Sequence, residues 1–306
     1  MIFLSKAKNN IKKINNSKII IDLEGCTKCK ACITACPARL FYFEVDQLQI
    51  FETFEDTCIE CGHCVAICPV NVIRLKVHEH KPLKSIELKK ERPSYESFYN
   101  LTITRRSIRQ FKDKPIDRSL IQKLLDIIQY SPTAENAENV CVSIIQDKEL
   151  VAKISDSITT QMKNFLQLAE SPQGLKALEK MLPKSAYKTA IENLPQVKDI
   201  LKMIDHGLDF WCWNGELIIL HGDKETGFIR ENCTLAAAHI MLAAELLGLA
   251  TCSLGFLMYF SLQFKQIKKL MKIPKKNYIG YALAIGYPDV KYKRIPARKP
   301  LKVEWI

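Results

Sequence analysis

Residues 26–37 read CTKCKACITACP, and residues 58–69 read CIECGHCVAICP. Both stretches follow the pattern C-x2-C-x2-C-x3-C-P, and the second lies 32 residues after the first. Together they contain eight of the chain's twelve cysteines. Three cysteines at intervals of three residues wrap a tight loop around one centre, whereas a fourth cysteine followed by proline points away from it. Residues 1–80 therefore contain a duplicated ligand set that decides their fold.

Two other uses of clustered cysteines fit this spacing less well. Zinc ribbons use two C-x2-C pairs separated by a spacer, not four cysteines within eleven residues. Secreted disulfide scaffolds are short, carry a signal peptide and spread their cysteine pairs. The stretch MIFLSKAKNNIKK has an apolar run of only four residues, too short for the core of a signal peptide. We therefore expect a metal cofactor and the reducing environment of the cytoplasm.

Over residues 18–80 the pattern resembles that of two-cluster bacterial ferredoxins. The resemblance implies that three cysteines of one repeat and the fourth cysteine of the other hold each [4Fe-4S] cluster. One cluster would be held by Cys26, Cys29, Cys32 and Cys68, and the other by Cys58, Cys61, Cys64 and Cys36. Two clusters imply the relay of electrons rather than the chemistry of a substrate.

The composition is that of a globular protein. Of the 306 residues, 47% are hydrophobic and 25% are charged, which excludes a disordered or collagen-like chain. This length suits one large domain or two ordinary ones. The 45 basic and 33 acidic residues give a net charge of +12. No RNP motif, helix-turn-helix or basic-aromatic array accompanies that charge, so we expect no nucleic-acid partner.

The rest of the chain divides into a linker and a larger domain. Residues 81–96 contain two prolines and clustered charge without apolar periodicity, which predicts a linker. From residue 97 onward, helical and strand patterns are mixed without regular βαβ alternation, which indicates an α+β fold. One helix is predicted after the N-cap Asp117, and further helices are predicted within 150–206 and at 229–247 and 261–271. The predicted strands are Glu216–His221 and Tyr278–Ile285. The last twenty residues should run extended along a surface.

One apolar stretch, residues 235–260, is long enough to be tested as a membrane span. His239 and Glu245 lie near its middle, and two glycines interrupt it. An acidic side chain at the centre of a bilayer is costly. We predict a buried helix ending near Leu247, then a short strand, and no association with membranes.

Residues 105–111, RRSIRQF, place three arginines and a serine within five residues. Guanidinium groups suit a phosphate monoester because they offer paired donors and a fixed charge. An exposed basic face at the end of a helix would have the same composition, and this segment alone does not separate the two. There is neither a G-x-G-x-x-G motif nor a P-loop, so no Rossmann or nucleoside triphosphate site is indicated.

The segment resembles the signature that opens FMN-dependent nitroreductases, and three later segments resemble the same family in the same order. These are SPTAEN at 131–136, GLATCSLGF at 248–256, and a C-terminal segment from Gly286 to Pro300. The resemblance covers residues 97–306 and implies an α+β domain whose central mixed sheet is flanked by helices. It places Arg105, Arg106, Ser107, Arg109, Arg298 and Lys299 at the phosphate of FMN, Thr133, Ala134 and Asn136 at its ring or ribityl chain, and Cys252, Ser253, Leu254 and Gly255 at the edge of its ring.

Parts of this domain depart from the family or have other interpretations. The segment 211–216 lacks the expected small residues and proline, and the long helical stretch 150–206 should line or cover a substrate pocket. Trp211 and Trp213 fit core packing or a dimer interface better than stacking on a substrate. Arg106 could instead form an ion pair. We expect Cys252 to be a small buried hydrophobe without a redox role.

Together the two resemblances imply an enzyme in which two [4Fe-4S] clusters relay single electrons to FMN. FMN would then reduce an electron-poor small molecule such as a nitroaromatic, a quinone or an activated alkene. Electrons would enter from NAD(P)H at FMN or from a ferredoxin at the clusters, and the family resemblance implies a homodimer. The alternative is an electron-transfer module that serves a partner protein and has no substrate of its own.

The sequence assigns no catalytic residue. We expect the three histidines of the second domain, His206, His221 and His239, to be buried and hydrogen-bonded rather than to act as proton donors. The four cysteines outside the repeats, among them Cys141 and Cys212, should serve in packing.

Overall fold

The computed structural model describes residues 12–78, 92–182, 184–207 and 214–306. Residues 211–213 and most of the predicted linker lie outside the described residues, so the expectations for Trp211, Cys212 and Trp213 are not addressed.

The chain forms two compact units. One unit extends to Arg92 and also includes Glu135–Ala137, and the other contains Pro93–Ala134 and Glu138–Ile306. The boundary after Arg92 falls inside the segment 81–96, where the sequence predicts a linker.

The first unit consists of short elements. In chain order they are β1 (Lys13–Asn15), β2 (Ile19–Asp22), α1 (Ala31–Ala35), β3 (Phe41–Glu44), β4 (Gln47–Ile50), α2 (Phe54–Thr57), α3 (His63–Ile67) and β5 (Ile73–Leu75). Strands β1, β2 and β5 form one antiparallel sheet, and β3 pairs with β4 in an antiparallel hairpin. The unit has its own core, in which Ile19, Ile21, Leu48, Phe54 and Ile73 are almost fully buried.

The sequence repeat is present in the backbone of this unit. Helices α1 and α3 are 32 residues apart, and each follows a residue in the left-handed region, Lys30 at φ 61° and Gly62 at φ 73°. Each helix ends at the fourth cysteine of its repeat, Cys36 or Cys68, whose backbone is extended with ψ 114°. Because a residue before proline avoids the helical region, the proline that follows each of these cysteines ends the helix there.

The second unit contains nine helices and four strands among the described residues. They are α4 (Tyr95–Thr104), α5 (Arg118–Ile128), β6 (Cys141–Ile145), α6 (Lys148–Ala169), α7 (Pro172–Met181), α8 (Lys184–Glu192), α9 (Leu194–Asp205), β7 (Glu216–Asp223), α10 (Ile229–Leu246), β8 (Ala250–Ser253), α11 (Gly255–Gln263), α12 (Lys265–Leu270) and β9 (Asn277–Gly286). The strands form one sheet in the order β6-β7-β9-β8. Asp117 caps α5 as predicted, because its Oδ1 accepts a hydrogen bond from Ser119 N at 2.7 Å.

The sheet lies between two layers of helices. Strand β7 is apolar on both faces, and each face packs against one of these layers. Leu217 and Ile219 belong to a core that includes residues of α6, α9, α11 and α12. Ile218 and Leu220 belong to a second core with α5 and α10. A continuous apolar strand suits this central position, since both of its faces are removed from water. The α+β fold class is therefore confirmed.

Two details of the predicted architecture need correction. The three strand pairings are all antiparallel, and the parallel component of the expected mixed sheet is a single bridge between Ser107 and Thr251. The helix predicted at 261–271 is two helices, α11 and α12, because Phe264 between them is extended. Strands β6 and β8 carry apolar residues but are too short for the sequence to specify their pairing.

The described residues contain no helix that is long and apolar enough to cross a membrane. The apolar stretch instead forms the buried helix α10, which ends before Gly248 at φ 70°, followed by strand β8. Residues 289–306 are exposed and contain no helix and no strand, in agreement with an extended C-terminal segment.

Two of the three histidines differ from expectation. His206 and His239 are exposed, and each Nδ1 lies within hydrogen-bond distance of the carbonyl oxygen four residues earlier. His239 lies on the exposed side of α10, and His206 directly follows the last residue of α9.

Cys141 is exposed rather than packed in a core, whereas Cys233 and Cys252 are buried.

His221 is buried, as predicted, and sits in a polar network across three strands. Its Nε2 lies 3.0 Å from Ser143 Oγ on β6, and its Nδ1 lies 2.8 Å from Asn277 Nδ2 on β9. The amide of Asn277 donates to Nδ1, so the neutral ring with its proton on Nε2 satisfies both contacts. Burial, reinforced by the positive charge of Lys268, lowers the pKa of His221.

This network makes the stability of the chain depend on pH. Because the pKa of His221 is lower in the folded chain than in the unfolded chain, the unfolded chain binds more protons below about pH 6.5. We therefore predict that the free energy of unfolding falls as the pH drops below that value, and that it falls less steeply in His221→Gln. Urea denaturation of the full chain between pH 7.5 and 5.5 measures both slopes. In the control His239→Gln the slope should match the unsubstituted chain, and equal slopes in all three proteins would contradict the prediction.

Candidate functional site

The eight cysteines of the repeats line two separate cavities in the first unit. One cavity is lined by Cys26, Cys29, Cys32 and Cys68, and the other by Cys36, Cys58, Cys61 and Cys64. Each cavity thus combines three cysteines of one repeat with the fourth cysteine of the other. Apolar side chains such as Phe43 and Leu48 in the first cavity, and Phe41 and Phe54 in the second, complete the walls.

Backbone amides point toward several of these sulfur atoms. Lys28 N donates to Cys26 Sγ at 3.4 Å, and Leu40 N donates to Cys36 Sγ at 3.5 Å. Lys28 is in the left-handed conformation at φ 59°, and Glu60, its counterpart in the second repeat, has φ 52°. These turns direct N–H groups at the sulfurs, where they favour negative charge on a bound thiolate.

The thiols themselves are costly to ionise in this setting. Burial, followed by the charges of Cys58, Cys61 and Cys36, raises the pKa of Cys64 to about 12. Burial also raises the pKa of Cys32 and of Cys58. A bound cation reverses this preference, because a coordinating thiol loses its proton to the metal.

The donor chemistry of each cavity suits an iron–sulfur cube. Four cysteines line each cavity, three from one repeat and the fourth from the other, and a cube takes four thiolate ligands in this pattern. Within the part of the chain that the structure describes, no three Cys, His, Asp or Glu side chains are close enough together to hold a single metal ion.

In the second unit, backbone pairing brings together three of the four segments that resemble the flavin enzymes. Ser107 forms a parallel bridge with Thr251, and Ile108 N donates to Thr251 O at 3.0 Å. Phe111 bridges Pro288, next to a hydrogen bond from Lys112 N to Tyr287 O at 2.8 Å. The segment 105–111 therefore lies between β8 and the chain that follows β9.

The arginines of this segment form a concentration of positive charge. None of Arg105, Arg106 and Arg109 lies within 4 Å of a carboxylate among the described residues, so no ion pair of Arg106 is found there. Glu245 on α10 accepts a hydrogen bond from the backbone of Arg106, and the charge of Arg105 partly offsets the effect of burial, which raises the pKa of Glu245. A cationic segment whose guanidinium groups form no ion pair among the described residues fits an anionic group such as a phosphate.

The turn after β8 presents alternating residues to opposite sides. Cys252 and Leu254 are buried, so Cys252 packs as a small hydrophobe as expected, and burial raises the pKa of its thiol. Ser253 and Gly255 are exposed, and Ser253 Oγ lies 2.8 Å from Tyr281 OH. A Cβ atom added at Gly255 would meet no other atom within 4 Å, so there is open space in front of its backbone.

The loop at 131–136 is held by groups outside it. Thr133 Oγ1 accepts a hydrogen bond from Glu138 N at 3.1 Å, and Ala134 N donates to Asn232 Oδ1 at 3.0 Å. Asn136 is in the left-handed conformation. Sequence reasoning missed Asn232, although an asparagine amid the apolar residues of α10 is a signal of a buried polar contact.

Two buried hydroxyl groups in the described residues have no hydrogen-bond partner, Ser131 Oγ and Thr251 Oγ1. Leaving a buried hydroxyl unpaired is unfavourable, and such groups need an explanation. Both belong to segments that the sequence places beside FMN. Because both hydroxyls are inaccessible, the features compatible with a polar group that carries a phosphate are the arginines of 105–111 and the open space at Gly255.

The C-terminal residues Arg298 and Lys299 are exposed. Both lie in the exposed segment 289–306 and make no hydrogen bond or ion pair with the described residues of their own chain. Their predicted contact with the phosphate of FMN stays a prediction.

Comparison with known proteins identifies both parts of the chain. The profile of the nitroreductase family matches residues 103–287, and that of the 4Fe-4S dicluster domain matches residues 18–69. A putative NADH dehydrogenase/NAD(P)H nitroreductase from Archaeoglobus fulgidus is 23% identical over 63% of this chain and 86% of its own length. FMN reductase [NAD(P)H] from Bacillus subtilis is 26% identical over 62% of this chain and 67% of its own length. A crystal structure of a nitroreductase with bound FMN from Desulfitobacterium hafniense covers 68% of this chain and 97% of its own, with 18% identity and a TM-score of 0.48.

The contact between Gly286 and Phe111 yields a prediction about how this site is assembled. A Cβ atom at Gly286 would lie 2.8 Å from Phe111 Cδ1, so Gly286→Ala should push the segment 105–111 away from β9. We expect a loss of about 1–3 kcal/mol in the free energy of unfolding, as for other overpacked sites. Urea denaturation of the full chain without added flavin measures this loss. The matched control is Gly255→Ala, where the added methyl group has open space; an equal loss in both variants would contradict the prediction.

Proposed function

We propose that this chain, which belongs to the nitroreductase family, reduces an electron-poor small molecule. Single electrons would pass through two [4Fe-4S] clusters to FMN. The chain is an oxidoreductase with a 4Fe-4S dicluster domain joined to a nitroreductase domain. The substrate would be a nitroaromatic, a quinone or an activated alkene. The observation that carries the proposal is that backbone pairing brings the arginine segment 105–111 to strand β8 and to Pro288.

The two cysteine-lined cavities would each hold one cluster. The interleaved lining, with Cys68 in one cavity and Cys36 in the other, supports the proposed ligand sets. Amide donors to Cys26 and Cys36 would stabilise the negative charge of the bound thiolates.

The second unit would hold FMN through its own polar groups. Arg105, Arg109 and Ser107 would bind the phosphate, and the open space in front of Gly255 would admit the edge of the ring. When bound, the clusters supply single electrons and FMN converts pairs of them into a hydride equivalent for the substrate. The chain contributes binding and orientation, and we assign it no nucleophile and no general acid.

We further propose that the chain acts as a homodimer. Helix α4 has no buried residue, and Tyr95, Phe98 and Tyr99 are at least half exposed on it. The segment 289–306 exposes Leu301 and Trp305 almost completely. Apolar surface of this extent marks an interface, and a second copy of the chain is the partner that the family resemblance implies. A sedimentation mass equal to that of one chain would contradict the proposal.

The function is tested by following the flavin anaerobically. The reconstituted chain should bind about one FMN and about eight irons, as two cubes require. After reduction with NADH, NADPH or a reduced ferredoxin, the FMN absorbance should return when a nitroaromatic, a quinone or an activated alkene is added. Reoxidation only by a partner protein would favour the electron-transfer module instead. Zinc in place of iron, with no flavin bound, would contradict the whole proposal.

A substitution within the phosphate segment separates flavin binding from folding. Arg105→Ala should weaken FMN binding roughly tenfold or more, because a hydrogen bond to a charged group contributes about 1.5–3 kcal/mol, and should leave the iron content unchanged. Arg118→Ala, an exposed arginine at the start of α5, is the matched control and should bind FMN normally.

Cys36 belongs to the first repeat but lines the cavity of Cys58, Cys61 and Cys64. Its substitution should therefore affect the second cluster, not the cluster of its own repeat. Cys36→Ala should remove the cluster that Cys58, Cys61 and Cys64 share, which is about half of the iron. The double variant Cys36→Ala/Cys58→Ala should then lose no more iron than Cys36→Ala alone, because both cysteines serve one cluster. Cys36→Ala/Cys26→Ala should lose nearly all of it. Iron analysis and low-temperature EPR measure both outcomes, and the opposite pattern would assign Cys36 to the cluster of its own repeat.

A further inference from the structure

Asn232 is the polar residue that the proposed function leaves unexplained. It is 1% exposed, in the first turns of α10, among the buried residues Ile229, Cys233 and Ala236. A buried side-chain amide is unfavourable unless its donors and acceptor are paired. An apolar residue would pack there at lower cost, so the contacts of the amide explain its presence.

The amide of Asn232 joins two points of the loop 131–139. Its Oδ1 accepts a hydrogen bond from Ala134 N at 3.0 Å, and its Nδ2 donates to Asn139 Oδ1 at 3.0 Å. Asn139 in turn donates from Nδ2 to Thr226 Oγ1 at 3.0 Å. A single buried side chain therefore fixes the residues on either side of the segment 135–138.

That segment needs to be held, because its backbone conformation is unfavourable. Glu135, Asn136 and Glu138 have φ of 54°, 53° and 44°, and none of them is glycine. Left-handed conformations are uncommon for residues with a Cβ atom, and three within four positions require support from outside. Asn232 provides such a contact at Ala134, whereas the hydrogen bond from Glu138 N to Thr133 Oγ1 lies within the segment.

The N–H of Ala134 is already engaged by Asn232, so this N–H is not free to bind a ligand. Asn232 therefore acts through the conformation of the loop.

We propose that Asn232 is a positioning residue that holds the loop 131–139 in its binding conformation before FMN arrives. The inference rests on the proposed FMN site and assigns Asn232 no contact with the flavin. Preorganisation of this kind strengthens binding because the loop does not have to be ordered when the ligand binds. Loss of Asn232 should therefore weaken FMN binding more than it disturbs the fold.

The test compares two buried asparagines of the same unit. Asn232→Ala removes the amide that holds the loop, and Asn277→Ala removes a buried amide that is 6% exposed and contacts His221 instead. Both variants should unfold at lower urea concentration than the unsubstituted chain. Only Asn232→Ala should also raise the Kd for FMN, by roughly tenfold, and shift the midpoint potential of the bound flavin. Fluorescence titration and anaerobic redox titration of the full chain measure these values.

Two further variants identify the contact responsible. Asn139→Ala should weaken FMN binding in the same direction, and its effect should not add to that of Asn232→Ala, since both act on one hydrogen-bonded chain. Asn232→Asp keeps the acceptor for Ala134 N and should retain part of the affinity. An unchanged Kd and potential in Asn232→Ala, or an equal change in Asn277→Ala, would overturn the inference while leaving the proposed function intact. Failure of the unsubstituted chain to bind FMN would overturn both.

Discussion

The pairing of residues 105–111 with the far half of the chain is the constraint on which the second unit depends. Ser107 bridges Thr251 and Phe111 bridges Pro288, so a segment that precedes the first strand of the sheet is held against its last two strands. The contacts are largely between backbone groups, and Gly286 allows the ring of Phe111 to approach the strand. Without this pairing, the three arginines would be a solvated basic stretch.

The sequence predicts well what is encoded within a few residues. The cluster loops are the clearest case, because the cysteine spacing and the proline after each fourth cysteine act locally on the backbone. The cap at Asp117 and the buried strand around Ile219 are local in the same sense. In these regions the residue types act directly on the neighbouring backbone, so their pattern is sufficient to predict the local geometry.

What the sequence does not predict depends on contacts between distant residues. The pairing of β6 with β7 joins residues about 75 positions apart, and nothing in Cys141–Ile145 specifies its partner. Asn232 and Ala134 are 98 residues apart, so their contact is invisible in the apolar pattern of α10. His206 and His239 are exposed although the sequence analysis predicts burial, because burial depends on which distant segments cover a residue.

The distribution of charge changes the meaning of the net charge of +12. Residues 1–80 contain ten basic and nine acidic residues, whereas the rest of the chain contains 35 basic and 24 acidic ones. A cube with four thiolates carries about two negative charges, so two cubes would make the first unit acidic. FMN would bring about two more to the arginines of the second unit. The excess of positive charge is thus partly neutralised by the cofactors that the chain itself would bind, which is why it does not indicate a nucleic-acid partner.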